Sequence, residues 1–401
     1  MEFEGILEQV RRRVVRKHGD ALLSANGTAY QVVTDAIRRE TRSVLKREDP
    51  AVEEEVVAYL VGLGPVDALL KDPDVSEVMI NCHDEIYVER NGRIEKTDLA
   101  YRDEEEVLNV LYRIVQRCGR KVNFSSPLVD ARLPDGSRVN AVIPPASLNP
   151  VITIRRFVRK VFTTEDLIRD NFLSEEMVAF FDALIRGKAN VVVCGATGCG
   201  KTTFLRWLAG FIPSSERLVT IEDTRELNLD HPHCISLEAT DKAGIYELMI
   251  NALRMRPDRI ILGEVRGAEA FELLQAMGTG HEGSLTTVHA NYGKMEAVHR
   301  LVRAMVKAGG VTSEELEAQV AETIDFLVFV KRFPDGSRQV VHVSQVESDR
   351  GRPVFRDVYR YRKSLNRHEF VGPVSPELAE RLRENLDELP AHPAFGGVRN
   401  G

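Results

Sequence analysis

Cysteine is scarce in this 401-residue chain, which has five copies: Cys82, Cys118, Cys194, Cys199 and Cys234. They form no CxxC pair and show no regular spacing. An odd, scattered set cannot pair into a complete disulfide framework. The sequence therefore excludes a disulfide-rich secreted domain and favours a reducing compartment.

Long apolar runs are also missing. The most apolar stretch, residues 324–330, is far shorter than the ~20 residues that span a bilayer as a helix. The amino terminus carries charges where a signal peptide needs an apolar core. We therefore predict a cytoplasmic protein, and we expect any association with a membrane to be indirect, through a partner or a surface patch.

A surplus of basic charge is absent too, because 54 lysines and arginines stand against 61 aspartates and glutamates, for a net charge of −7. A protein that holds nucleic acid with a globally basic surface is disfavoured, and no nucleic-acid partner is expected. Hydrophobic residues make up 43% of the chain, which is enough to bury real cores and excludes a mostly disordered protein. The length suggests about two or three domains.

Patterning along the chain predicts five parts. Residues 1–55 are densely charged, with apolar positions near helical spacing, and predict a helical region. Residues 56–157 mix strand pairs with an amphipathic helix and predict a smaller α+β domain. A charged linker, 158–174, leads to an α/β domain over 175–347. A C-terminal extension, 348–401, ends in PAHPAFGGVRNG, which is expected to be disordered.

Four continuous apolar runs within the α/β part predict strands. They are residues 190–195, 217–223, 258–264 and 284–290. Continuous apolarity is typical of strands that are covered on both faces. Because helical patterns lie between the runs, we predict a mainly parallel, doubly wound sheet.

The segment GATGCGKT at 195–202 matches the pattern G-x-x-x-x-G-K-[ST], with an apolar strand before it and a helical pattern after it. Glycines let several backbone N–H groups converge on phosphate oxygens, and the helix amino terminus adds partial positive charge. Lys201 can reach the β- and γ-phosphates, and the Thr202 hydroxyl can bind Mg²⁺. We predict binding of ATP or GTP. The predicted nucleotide-binding residues are Gly195, Ala196, Thr197, Gly198, Cys199, Gly200, Lys201, Thr202 and Thr203.

Cys199 allows two interpretations. A helix amino terminus lowers the pKa of a thiol, so this cysteine could be redox-reactive. The hypothesis we prefer is an inert small residue, because backbone groups bind the phosphates.

Acidic residues end two of the predicted strands. Glu222 and Asp223 end the second run, and Glu264 ends the third. Ligands of doubly wound sheets lie beyond the carboxyl ends of the strands, so these carboxylates are placed to hold Mg²⁺ and to orient an attacking water. Capping of the next helix or turn is the alternative role for each. The sequence does not decide whether Glu222 or Glu264 is the water-activating base.

Arginines flank the Glu264 strand. Arg254, Arg256 and Arg259 precede it, and Arg266 follows it. An arginine near a γ-phosphate stabilises the charge that spreads during transfer, often from a neighbouring subunit. Arg254 and Arg256 are the catalytic candidates, with solvated surface arginine as the alternative for each.

A family resemblance emerges from these segments taken in order. GATGCGKT, IEDTREL, LRMRPDRIILGEVRGAEA and GTGHEGSLTTVHAN resemble the four nucleotide boxes of the type II/IV secretion ATPase superfamily. SSPLVDARLPDGSRVNAVIPP and ITIRRF resemble the CpaF branch, the ATPases of Tad/Flp pilus assembly. The resemblance implies an α/β fold: a RecA-like P-loop ATPase domain preceded by a smaller α+β, PAS-like domain and an N-terminal helical region. It also implies ATP and Mg²⁺ as cofactors.

The resemblance further implies roles for single residues. Lys201 and Thr202 would serve phosphate and Mg²⁺. Glu264 would occupy the Walker B position and hold Mg²⁺, and Glu222 would be a candidate for polarising the water. Residues implied to couple nucleotide state to subunit contacts are Asp223, Arg225, His281 and His289. Arginines resembling those that close over the nucleotide, within or between subunits, are Arg132, Arg138, Arg155 and Arg156.

Members of this family work as ring hexamers on the cytoplasmic face of the inner membrane and extract pilins through membrane platform proteins. The resemblance therefore implies a homo-oligomer, inner-membrane platform partners and an ATP-hydrolysing motor for pilus assembly or protein secretion. A nucleic-acid motor is a second hypothesis, because RecA-like cores also move DNA, and the acidic balance argues against it. A small-molecule kinase is a third, for which no acceptor site or lid is evident.

Overall fold

Two units make up the chain. A computed structural model describes residues 3–23, 27–90, 92–156, 162–240, 242–386 and 388–396. The units are Met1–Arg159 and Lys160–Gly401. No helix within the described ranges combines the length and the hydropathy of a membrane span.

Helices open the first unit. They are α1 (Phe3–Leu23), α2 (Gly27–Leu45) and α3 (Pro50–Leu60). α3 begins where the Asp49 carboxylate accepts a hydrogen bond from the Val52 amide, and Pro50 stands in the first turn, where its missing N–H costs nothing. The apolar faces of the three helices share one small core, which includes Val10, Val14, Ile37 and Val56.

A six-stranded antiparallel sheet completes the first unit. Its strands are β1 (Val75–Cys82), β2 (Glu85–Arg90), β3 (Arg93–Lys96), β4 (Leu128–Arg132), β5 (Arg138–Val142) and β6 (Val151–Arg155), and its helices are α4 (Asp67–Lys71) and α5 (Glu104–Arg117). The strand order is β3-β2-β1-β6-β5-β4. α5 buries a single apolar face in the core of this sheet, as its helical periodicity requires.

A nine-stranded sheet lies at the centre of the second unit. Its strands are β7 (Val191–Gly195), β8 (Leu218–Glu222), β9 (Cys234–Glu238), β10 (Arg259–Leu262), β11 (Leu285–His289), β12 (Phe326–Arg332), β13 (Arg338–Asp349), β14 (Arg352–Arg362) and β15 (Arg367–Phe370). The order is β15-β14-β13-β12-β7-β11-β10-β8-β9. Pairing is parallel from β12 to β9 and antiparallel from β12 to β15.

Helices cover both faces of that sheet. They are α6 (Thr164–Arg169), α7 (Glu175–Arg186), α8 (Lys201–Ala209), α9 (Ile245–Ala252), α10 (Glu269–Gly278), α11 (Lys294–Met305), α12 (Ser313–Thr323) and α13 (Pro376–Glu384). Successive side chains of a strand point to opposite faces. In β7, Val191 and Val193 therefore join one core with α7 and α8, whereas Val192 and Cys194 join the other with α10 and α11. The predicted α/β fold with a doubly wound parallel sheet is confirmed.

Each of the four predicted runs contains a strand of the parallel part: β7, β8, β10 and β11. They are also neighbours, in the order β7-β11-β10-β8. Their carboxyl ends therefore meet at one edge of the sheet, where Glu222, Glu264 and His289 stand beside the loop that follows β7.

The expectation that the final PAHPAFGGVRNG is disordered is wrong for the part of it that the structure describes. His392 and Phe395 are buried. The Tyr359 hydroxyl lies 2.9 Å from His392 Nε2, and the Phe395 ring stacks on Phe180 with centroids 5.5 Å apart. The Pro- and Gly-rich composition hides this, because partners distant in sequence hold the segment in place.

The five-part division of the chain stays a prediction. β14, β15 and α13 lie in the predicted extension 348–401, and the first two enlarge the sheet on its antiparallel side. α6 lies in the predicted linker and buries Leu167 in the core of the second unit. Residues 158–161 of that linker and 397–401 of the tail fall outside the described residues.

Phe395→Ala is expected to lower the free energy of unfolding of the second unit by roughly 3 kcal/mol, because it removes a buried ring and leaves a cavity. Urea unfolding followed by the fluorescence of Trp207, the single tryptophan, measures it in the same core. Tyr292→Ala is the matched control, since that ring is 91% exposed and its loss should cost less than ~0.5 kcal/mol. If the Phe395 variant and wild type had equal free energies of unfolding, the C-terminal segment would not stabilise this core.

Candidate nucleotide-binding site

The loop between β7 and α8 has the backbone of a phosphate-binding loop. Gly198 and Gly200 have φ of +70° and +101°, values that residues with a side chain rarely adopt. A Cβ at Gly195 would collide with the Val330 carbonyl. The loop can therefore turn its amides and the amino end of α8 toward an anion.

Lys201 begins α8 and supplies the cation of the site. It is only 7% exposed. Its ammonium donates a hydrogen bond to the Ala196 carbonyl at 3.0 Å and lies 3.3 Å from His289 Nδ1. Burial lowers the pKa of Lys201, because the charged form loses hydration that these neighbours do not fully replace. A phosphate at this position would offset that cost.

His289 connects Lys201 to Glu264. It ends β11, and its Nε2 lies 3.1 Å from Glu264 Oε1. An ammonium next to Nδ1 requires a lone pair there, so the ring is neutral and donates its Nε2 proton to the carboxylate. Burial and the charge of Lys201 both lower the pKa of His289, which favours the same neutral form. Polar contacts thus run without a break from the phosphate loop to the end of β10.

Arg266 flanks Glu264 on its other side. Its Nε lies 3.1 Å from Glu264 Oε1, and its Nη2 donates to Oε2 at 3.1 Å. Its Nη1 reaches Asp223 Oδ2 at 3.4 Å. Hydrogen bonding to Glu264 raises the pKa of Arg266. We call the side chains of Lys201, His289, Glu264, Arg266 and Asp223 the catalytic network, after the catalytic roles that the sequence predicts for Lys201 and Glu264. This network spans the carboxyl ends of β11, β10 and β8.

Glu222 has a different environment. It is 4% exposed, and its Oε1 accepts hydrogen bonds from the amides of Glu226 and Leu227 at 2.9 and 3.0 Å. Burial raises the pKa of the Glu222 carboxyl. These bonds fix the turn after β8, which carries Asp223 into the catalytic network.

The structure shows a contact to the phosphate loop that no sequence motif predicts. Arg338, the first residue of β13, donates from Nε to the Gly198 carbonyl at 3.0 Å. Its cross-strand partner Arg332 also lies beside Gly198. The contact depends on β12 pairing with β7 and β13 pairing with β12, which the order of the sequence does not reveal.

Arg254 and Arg256 lie at the opposite edge of the sheet, because they precede β10 and Glu264 follows it. At ~3.3 Å per residue, the four-residue strand separates the two edges by about 13 Å. Arg259 is fully buried and holds Glu216 through hydrogen bonds of 2.5 and 2.8 Å. These arginines are not part of the catalytic network of their own chain, and a role at a neighbouring chain's nucleotide stays a prediction.

His281 is separated from His289 in the same way. It precedes β11, and its amide donates to the Ala276 carbonyl at 3.1 Å. Arg225 extends to β9, where it donates to the Ser236 carbonyl at 3.1 Å. Of the four residues expected to couple nucleotide state to subunit contacts, the catalytic network contains Asp223 and His289.

Three of the four predicted arginines of the first unit form a row. Cross-strand register pairs Arg132 with Arg138, and Arg138 with Arg155. Residues directly opposite share a face, so three like charges stand side by side, an arrangement that costs stability unless anions compensate. Arg156 does not join them, because its Nη1 donates to the Val75 carbonyl at 2.6 Å and stabilises the fold.

The environment of Cys199 supports the preferred interpretation of this cysteine as an inert residue. This cysteine is fully buried, and burial raises the pKa of its thiol. The inert hypothesis fits that environment better than a reactive thiolate does. Thr202 and Thr203 lie in the first turn of α8.

A family model described as "Type II/IV secretion system protein" matches residues 60–352, most of the chain. The chain belongs to this family. The match runs from the end of α3 to the start of β14, so it includes both the six-stranded sheet and the catalytic network.

Two curated relatives and one solved structure illustrate the similarity. A Mycobacterium tuberculosis protein whose name assigns it to conjugal transfer is 31% identical over 309 residues, 73% of this chain and 87% of its own. Type IV secretion system protein VirB11 of Bartonella henselae is 29% identical over 337 residues, 73% of this chain and 94% of its own. The crystal structure of the pilus retraction motor PilT with bound ADP has a TM-score of 0.50 at 16% identity, covering 80% of this chain and 86% of that one. That likeness concerns the fold alone.

The residues present fit a nucleotide with Mg²⁺. Glycines at 198 and 200 allow the turned loop, and the buried ammonium of Lys201 lies against the Ala196 carbonyl of the same loop. The Thr202 hydroxyl and the Glu264 carboxylate supply oxygen donors, which are the ligands Mg²⁺ prefers.

Lys201→Met is expected to raise the pKa of His289, because it removes a cation 3.3 Å from Nδ1 that disfavours protonation of the ring. NMR of labelled histidine rings across pH measures the change, and His289→Gln assigns the signal. The pKa of His368, which burial lowers to about 4, should not move in the same spectra. A His289 pKa that stays constant or falls would contradict the contact with Lys201.

Proposed function

We propose that this protein is a Mg²⁺-dependent ATPase that powers pilus assembly or protein secretion. The observation that carries the proposal is the unbroken contact from Lys201 through His289 to Glu264. It joins the loop that would hold the phosphates to a carboxylate at a neighbouring strand end. Loss of the γ-phosphate would therefore change side-chain contacts at two strand ends at once, those of His289 and Glu264. Membership of the secretion family supports the coupling of that change to a secretion machine.

Each part of the site has a task in hydrolysis. The loop amides and Lys201 bind the phosphates and fix the γ-phosphoryl group for in-line attack. The Thr202 hydroxyl and the Glu264 carboxylate would hold Mg²⁺, which when bound would supply positive charge that neutralises the phosphates. Arg338 holds the Gly198 carbonyl and so keeps the loop in its turned conformation.

Glu264 is our candidate for the carboxylate that acts at the reacting phosphate. It contacts His289, which contacts Lys201, so it lies one side chain away from the loop. Glu222 is occupied by two backbone amides and is buried. We assign Glu222 the positioning of the turn that carries Asp223 and Arg225, rather than direct activation of water.

The arginine row of the first unit is our candidate for a second group of phosphate-binding charges. Arg132, Arg138 and Arg155 present three charges on one face, and the strand register continues the row with Glu77 opposite Arg155 and Glu89 opposite Glu77. A triphosphate would neutralise such a row well. We propose, as the family resemblance implies, that these three arginines bind nucleotide phosphates, of their own chain or of a neighbouring one.

The proposed assembly is a homo-oligomer, with a hexameric ring as the expected form, held at the cytoplasmic face of the inner membrane by platform proteins. Tad/Flp pilus assembly is the machine that the CpaF-like segments favour. A type IV secretion or conjugal transfer system is the second candidate, because the curated relatives carry those names. Surface pili and DNA transfer, counted in source cells that carry an inactive Glu264 variant, separate the two.

Glu264→Gln is expected to lower the rate of phosphate release by at least about 10²-fold while the chain still binds ATP, because the variant removes the charge next to the reacting phosphate and keeps the loop. A coupled phosphate assay and a fluorescent-nucleotide titration on the same samples measure both quantities. Glu282→Gln is the matched control, since this exposed carboxylate precedes β11 at the opposite edge. A Glu264 variant as active as wild type would exclude it from the chemistry.

Arg155→Gln is expected to lower ATPase activity at least about tenfold without changing the free energy of unfolding by more than ~0.5 kcal/mol, because Arg155 is exposed and stands in a row of like charges. Arg93→Gln, at an exposed arginine on β3, is the control and should be as active as wild type.

Light scattering with and without ATP should show a ring, and the fraction of protein in the ring should rise in parallel with specific activity. Full activity from a monomer at every concentration would refute a site shared between subunits.

A further inference from the structure

A pocket of about 370 Å³ lies against the catalytic network, within the second unit. Glu264 and His289 form one of its walls. The pocket is also lined by four cationic side chains: Arg266, the α11 residues Arg300 and Arg303, and Lys307 of the turn after α11. None of the phosphate-loop residues lines it. The Glu264–His289 pair therefore separates this pocket from the ammonium of Lys201.

The pocket has more positive charge than its neighbours neutralise. Four cations line it, against the single carboxylate of Glu264. Arg300 has a partner in Glu296, at 3.2 Å. Among the described residues, Lys307 donates to the Arg266 carbonyl alone, and that oxygen carries no charge. Arg303 has no hydrogen bond or ion pair among the described residues. Exposed cations are often merely solvated, so the position of these four matters more than their number.

We propose that this pocket binds the orthophosphate that hydrolysis releases, an inference that rests on the proposed ATPase function. Lys201, which would hold the γ-phosphate, contacts His289, and His289 and its partner Glu264 both line the pocket. Both side chains are partly exposed, at 30% and 22%, so a rotation of either opens a way through. The released phosphate is a dianion. It would move away from the Glu264 carboxylate, which repels it, and toward guanidinium groups, which bind it in a fork geometry.

The dimensions suit that ligand. A water occupies about 30 Å³ of the liquid, so the pocket holds a phosphate ion together with several waters. Its cations come from α11, from the turn that follows α11, and from the residue two positions after Glu264. Movement of α11 relative to β10 would therefore change the affinity for phosphate, and the bound product would in turn stabilise one position of α11.

Titration of inorganic phosphate into the full chain, saturated with Mg²⁺ and a non-hydrolysable ATP analogue, tests the proposal by calorimetry. The analogue fills the γ-phosphate position, so only a separate site can take up phosphate. We expect one equivalent per chain in wild type, weakened at least about fivefold by Arg303→Gln, which removes a charged hydrogen-bond donor. The control is Arg383→Gln, at an exposed arginine of α13, a helix that packs into the other core of the second unit from α11. This variant should bind phosphate like wild type.

Absence of phosphate uptake by the analogue-filled chain, or equal affinity in wild type and the Arg303 variant, would overturn the pocket and leave the ATPase proposal intact. Failure to bind the analogue would instead overturn the ATPase, and the same two variants then test the pocket in the nucleotide-free chain. Steady-state kinetics give a second readout. Added phosphate should inhibit turnover of wild type and the Arg383 variant more strongly than turnover of the Arg303 variant.

Discussion

A buried ammonium at the head of α8 is the constraint on which the candidate site depends. Lys201 is 7% exposed, and its nearest polar partners are a carbonyl oxygen and a neutral imidazole. Neither carries the negative charge that would compensate the loss of hydration. The fold therefore maintains a cation that a phosphate can stabilise. The neighbouring parts of the site, the glycine turn, His289 and Glu264, are arranged around it.

That constraint explains why the chemistry can be coupled to movement. His289 accepts from Lys201 on one nitrogen and donates to Glu264 from the other, so a change at the phosphate loop alters both bonds. The affected side chains stand at the ends of β10 and β11, and these strands lead directly into α10 and α11. A short polar relay thus joins the proposed reaction to rigid elements of the second unit.

Much of the candidate site could be predicted because its residues lie within short segments of regular pattern. The glycine loop with Lys201, and the strand ends at Glu222 and Glu264, follow from a motif and from apolar runs of strand length. Arg254, Arg256 and His281 have the same residue types but stand at the amino ends of their strands, which excludes them from the catalytic network of their own chain. Arg338, Arg303 and Lys307 carry no local signal, because they reach the site through pairing and packing of distant elements.

The sequence by itself determined the class of fold, the phosphate loop and the strands that bring carboxylates to one edge, since these depend on periodicity and on glycine and lysine at fixed spacing. Tertiary structure decided which charged side chains meet. Parallel pairing of β7, β11, β10 and β8 places His289 between Lys201 and Glu264, and antiparallel pairing places Arg338 on the loop. It also decided that the C-terminal segment belongs to the core, where Phe395 meets Phe180. Contacts of this kind join residues far apart in the chain, and no local pattern encodes them.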